Sequence, residues 1–131
     1  LPFAQGYGKF AVSEKQILWM RSSLKDLREM PNRVKSKIGF ALWFAQVGDI
    51  AGYARPMTGN LRDVVEIVAD DITGTYRAMY TTAIGETIYV LHIFQKKSKH
   101  GLSTPLKDLN MIAHRLQSAR EHRERQKARE G

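Results

Sequence analysis

The chain has 131 residues, enough for one hydrophobic core and too few for two, and carries a formal charge of +8. It has no cysteine, which excludes disulfides, cysteine-ligated zinc and thiol nucleophiles. No apolar run approaches the roughly 18 residues of a membrane span, and the N-terminus lacks the charged-then-apolar pattern of a secretory signal, so a cytoplasmic protein without a membrane partner is expected.

Residues 1–15 read as an N-terminal extension without functional residues. Gln16-Ile17-Leu18-Trp19-Met20 is a short apolar run suited to a first strand. Ser23 and Asp26 then have the spacing of a capping box, which predicts a first helix with Leu24, Leu27 and Met30 on its apolar side. Pro31 interrupts it and suits the first position of a second helix. In that helix Val34, Ile38, Leu42 and Ala45 make the core stripe, Phe40, Trp43, Phe44 and Val47 widen it, and Gly48 offers a left-handed cap. The two helices are expected to pair antiparallel.

Ala51 to Asn60 contains Gly52, Pro56 and Gly59 and reads as a loop, with Arg55 at its centre. Three β-rich segments follow, at 64–69, 75–81 and 87–97, separated by turn-forming residues, which predicts an antiparallel meander. Ser98 to Thr104 is polar, and Pro105 opens a final helix with Leu106, Leu109, Ile112, Ala113 and Leu116 on one side. That periodicity stops near Ala119, so 16–120 forms the domain and 121–131 a basic tail, as a solvated helix extension or a disordered segment. The expected class is α+β: a small antiparallel sheet, made of the N-terminal strand and the meander, packed against a helical pair, with a C-terminal helix.

The charge excess is uneven. From Lys96 onward there are ten Lys or Arg against four Asp or Glu, and eleven against nine before it. A basic stripe of this kind marks a polyanion partner, or solubility alone.

Arg77 sits mid-strand, and its planar fork of donors matches phosphate oxygens. If the preceding turn centres on Ile72 and Thr73, Arg77 also lies diagonal to Glu66, so a cross-strand ion pair is the competing reading. Lys96 and Lys97 at the strand exit suit charge stabilisation or, with a lowered pKa, proton transfer, and they equally suit protection of a strand end. His92 shares a face with Phe94 and reads as a core histidine whose ordinary pKa would also serve proton transfer. Lys99 and His100 lie in the basic loop beside the lysines. His114 and His122 have no companion ligands, so neither a metal nor another cofactor is expected.

Glu66-Ile67-Val68, then Tyr76-Arg77-Ala78-Met79-Tyr80, then Val90-Leu91-His92-Ile93-Phe94-Gln95-Lys96-Lys97 resemble the core of the RelE/ParE toxin superfamily, in particular its HigB-like, phage-derived branch. Ser22 to Arg28, Arg55-Pro56-Met57-Thr58-Gly59 and Lys96-Lys97-Ser98 before Thr104-Pro105 resemble that branch too, and the similarity runs from about Gln16 to Arg120. The resemblance implies a type II toxin-antitoxin toxin with a cognate antitoxin, often a helix-turn-helix repressor. It further implies cleavage of mRNA in the ribosomal A site, the ribose 2′-hydroxyl attacking its own 3′-phosphate without a metal. On this sequence it implies Arg77, Lys96 and Lys97 as catalytic residues and Arg55, His92, Lys99 and His100 as substrate contacts. Some family members place a tyrosine or histidines late in the chain; no tyrosine follows Tyr89 here, which leaves the acid and base open among the late imidazoles. A ParE-like, non-enzymatic inhibitor of DNA gyrase and an inactive nucleic-acid-binding module are the rival expectations.

Overall fold

The computed structural model describes residues 14–96 and 104–130. Lys97, Lys99 and His100 lie outside them, as does most of the N-terminal extension. The elements run β1 (Gln16–Trp19), α1 (Ser23–Arg28), α2 (Asn32–Gln46), β2 (Ala54–Pro56), β3 (Val64–Asp71), β4 (Gly74–Thr81), β5 (Thr87–Lys96) and α3 (Leu106–Glu130).

The meander forms as its composition predicts. Asp71 to Gly74 makes the first turn, where the Asp71 carboxylate accepts from the Thr73 amide and hydroxyl at 3.1 and 2.6 Å. That turn sets the register Glu66↔Met79 and Val68↔Arg77, and so places Arg77 diagonal to Glu66.

The sheet departs from expectation at both edges. Its order is β1-β5-β4-β3-β2, and β1 pairs parallel with β5, so a five-stranded mixed sheet replaces a purely antiparallel one. The fifth strand, β2, lies in the stretch read as a loop. Its Pro56 has no N–H to donate, which an edge strand tolerates, and Arg55 pairs directly with Glu66.

The helices differ in detail from their sequence signals. Ser22, not Ser23, occupies the N-cap position of α1, and its hydroxyl donates to the Asp26 carboxylate at 2.8 Å. Ser23 is buried within the helix, so the predicted capping box does not form. Pro31 is the residue before α2, not its first residue. At the far end Gly48 has φ +86°, its amide bonds the Ala45 carbonyl and that of Asp49 bonds Phe44, a left-handed cap that closes α2 as predicted.

Each face of the sheet has its own core. α1 and α2 bury Leu27, Val34, Ile38 and Leu42 against Ile67, Ala78, Tyr80 and Ile93 on one side. On the other side α3 lays Ile112, Leu116 and Ala119 over Val64, Met79, Tyr89 and Leu91. Phe40 does not join the first core. It is 49% exposed and stacks on Trp43 at 5.9 Å, with Phe44 edge-on at 4.9 Å.

A bulge in β5 decides which side chains α3 meets. Met79 pairs with His92 but Tyr80 pairs with Val90, leaving Leu91 as an extra residue. Strict alternation would send Leu91 and His92 to opposite faces. The bulge instead lets both meet α3, Leu91 in its apolar core and His92 through hydrogen bonds. The helix also continues past the end of its apolar stripe to Glu130, so 121–130 is a helix extension. It is not wholly solvated, since the Tyr89 hydroxyl meets His122 Nδ1 at 3.0 Å.

Candidate anion-binding site

Residues directly opposite on paired strands share a face. The pairs Arg55↔Glu66↔Met79↔His92, Val68↔Arg77↔Phe94 and Asp70↔Thr75↔Lys96 therefore form three successive rows on the α3 face. Arg55, Arg77 and Lys96 come from three different strands and occupy these rows.

At the centre lies Glu66, the one charged residue in the apolar run 64–69 and only 6% exposed. Arg77 Nη1 donates to its Oε2 at 2.9 Å and to Thr104 Oγ1 at 3.1 Å. The Thr104 hydroxyl lies 3.3 Å from the same carboxylate oxygen and closes a triangle. Arg55 Nε stands 3.7 Å from the other oxygen, Oε1, with a side chain 69% exposed. One carboxylate thus sits between two guanidinium groups, and the cluster keeps a net positive charge. A buried carboxylate demands such partners, because leaving it uncompensated costs several kcal/mol.

These residues line a cleft of about 430 Å³ whose remaining walls are Pro56, Met57, Thr58 and Leu109. Arg77 is 3% exposed and presents little of itself to that cleft. Its cross-strand ion pair, one of its two expected readings, is present. Arg55 is the guanidinium that solvent reaches. Chemically the cleft offers one exposed guanidinium loosely paired to Glu66, a second held behind it by the same carboxylate, and the Thr104 hydroxyl just before α3.

Lys96 stands at the exit of β5, opposite Thr75 and one row beyond Arg77. Lys97, Lys99 and His100 lie outside the described residues.

His92 shares the face but belongs to a different network. Its Nε2 lies 2.9 Å from Asp108 Oδ1 and its Nδ1 lies 3.2 Å from Arg115 Nη1, while the ring stacks on Phe94 at 4.7 Å. A guanidinium can only donate, so Nδ1 accepts from Arg115 and the Nε2–H donates to the Asp108 carboxylate. Burial pushes the His92 pKa below its ordinary value; the Asp108 hydrogen bond pulls it up, and Arg115 pushes it down again. The neutral tautomer thereby ties β5 to α3. Among the described residues no group of three or more acidic or imidazole side chains is placed to hold a metal ion, and no helix is long and apolar enough to cross a membrane.

Sequence reasoning found Arg55, Arg77 and Glu66 but missed Thr104, Asp108 and Arg115. Thr104 approaches Arg77 from 27 positions away, and no periodicity reports such a contact. Asp108 carried a weak signal, as an acid in the first turn of a helix.

Several comparisons bear on kinship. A chain from the crystal structure of the RelBE2 toxin-antitoxin complex of Mycobacterium tuberculosis superposes with a TM-score of 0.45 at 16% identity, over 65% of this chain and 94% of that one. No curated protein matches the sequence. The model of the family described as Phage derived protein Gp49-like (DUF891) matches residues 25–117, which include α2, the whole meander and the Arg55–Glu66–Arg77–Thr104 cluster. The chain belongs to that phage-derived family.

Proposed function

We propose that the chain is the toxin of a type II toxin-antitoxin pair, of the HigB-like kind, and that it cleaves mRNA on the ribosome at the Arg55–Arg77 cleft. The observation that carries this reading is the arrangement of Arg55, Arg77 and Lys96 in adjacent rows of one sheet face beside an open cleft. Membership of the Gp49-like phage-derived family, together with the sequence's resemblance to RelE/ParE toxins, supports the toxin assignment.

In the reaction the ribose 2′-hydroxyl gives its proton to water in the open cleft as its oxygen attacks the adjacent phosphorus, and the bond to the 5′-oxygen breaks as that oxygen takes up a proton, leaving a 2′,3′-cyclic phosphate and a 5′-hydroxyl. Negative charge builds on the phosphate as five oxygens crowd it, and fixed cations lower that barrier most when they need not reorganise. Arg55 meets the phosphate. Arg77, locked by Glu66 and Thr104, supplies a fixed field behind it and holds the carboxylate that positions Arg55. Lys96, with Lys97 next to it in sequence, stabilises charge or protonates the departing 5′-oxygen. The partner antitoxin, a helix-turn-helix protein, silences the toxin by covering this basic cleft.

The depth of Arg77 favours a second reading, a ParE-like protein that inhibits gyrase through its surface without cleaving RNA. Substitution separates the two. Arg55→Ala, and the pair Lys96→Ala with Lys97→Ala, should each lower RNA cleavage by about 10²- to 10³-fold, the range for losing one transition-state donor, with the melting temperature little changed. Undiminished cleavage in both would reject the site. A supercoiling assay showing gyrase inhibition without RNA cleavage would establish the second reading.

A further inference from the structure

The sheet-facing side of α3 changes character along its length. Ile112, Leu116 and Ala119 are buried there, and Arg120, Arg123 and Lys127 continue the same side at helical spacing. These three cations, with Glu124, line a notch of about 210 Å³ whose other wall is the β4–β5 turn at Ile84 and Gly85. Gly85 has φ +61°, and a Cβ there would come within 2.8 Å of Arg123 Nε. The guanidinium lies against the turn because that residue has no side chain. Arg123 Nε is itself buried with no hydrogen-bond partner among the described residues. Arg120 is ion-paired to Asp63 at 3.0 Å, and Lys127 stands 3.8 Å from Glu124.

Three cations against one glutamate in a concave notch leave a surplus of positive charge that suits an anion. From this we infer that the notch binds two consecutive backbone phosphates of RNA, one at Arg123 and one at Lys127, about 20 Å along α3 from the Arg55 cleft. The choice of RNA rests on the reading of that cleft as an RNA-cleaving site. α3 then spans two anchor points on one strand, the cleft near Leu109 and the notch near Arg123, and fixes the direction in which the strand crosses the protein.

Binding to an uncleavable, 2′-O-methylated single-stranded RNA tests this independently of catalysis, so that failure of the cleavage reading would not register in the assay. The variant Arg123→Gln with Lys127→Gln should bind at least about fivefold more weakly at 0.1 M salt. The plot of log affinity against log salt should become shallower by about 1.4, the value for two single-strand phosphate contacts. Glu124→Gln should tighten binding. If the double variant melts at a lower temperature, exposed Lys127→Gln alone should still reduce the slope by about 0.7. Wild-type affinity and slope in the double variant would overturn the assignment. So would weaker binding at an unchanged slope, which marks a structural role, or unchanged RNA binding with weakened binding to polyglutamate, which marks an acidic protein as the ligand.

Discussion

Two buried polar clusters lie under α3 on the same sheet face, and they differ in what they leave over. In the first, Arg55 and Arg77 share one carboxylate, so positive charge is in excess and one guanidinium stands in an open cleft. In the second, Arg115, His92 and Asp108 form a chain in which both ring nitrogens are engaged and the opposed charges cancel. A satisfied network holds elements together and has nothing to offer a ligand. A network with an exposed surplus charge can hold elements together and attract an anion as well. The contrast assigns binding to the Arg55 side and joining of β5 to α3 to the His92 side.

The largest effect expected from breaking this pattern comes from Glu66→Ala. It leaves Arg77 buried without a carboxylate and should cost about 3–5 kcal/mol, read from urea unfolding. Asp108→Ala should follow at about 1.5–3 kcal/mol, the range for a hydrogen bond to a charged group, and should leave RNA affinity unchanged.

A pH titration sharpens the contrast further. Because the folded protein holds the His92 pKa below the unfolded value of about 6.5, its contribution to stability is complete above that pH and is lost as pH falls towards the folded pKa. The groups that set this balance are Asp108 and Arg115 on α3 and Asp26 on α1. Thermal midpoints of the wild type should therefore drop as pH falls below about 6.5, and those of His92→Gln should drop less. An equal drop in both would place the sensitivity elsewhere.

Arg55→Ala should change stability least, by under about 1 kcal/mol, since it removes only an exposed partner at 3.7 Å. It should nevertheless have the greatest effect on RNA. A variant that loses activity while keeping its stability is what separates a binding residue from a structural one.

Much of this architecture was legible in the chain. Asp71-Ile72-Thr73-Gly74 announced its turn, and once that turn is fixed the diagonal between Arg77 and Glu66 follows from the register. Gly48 announced the end of α2. The rest depended on long-range geometry. β2 was hidden because Pro56 and the flanking glycines resemble a loop until an edge position removes the demand for the missing N–H. The β5 bulge has no sequence signature, yet it turns His92 towards Asp108. The partner of His92 and the hydroxyl of Thr104 both come from residues later in the chain than 97–103, and alternation along a strand cannot report such contacts.

Mapping new mRNA ends after adding purified protein to translating ribosomes tests the central claim most directly. Codon-phased cuts with the wild type, strongly reduced by Arg55→Ala in a fully folded protein, are the predicted result. Intact transcripts with the wild type, or equal cutting by the two proteins, would contradict the assignment of the cleft.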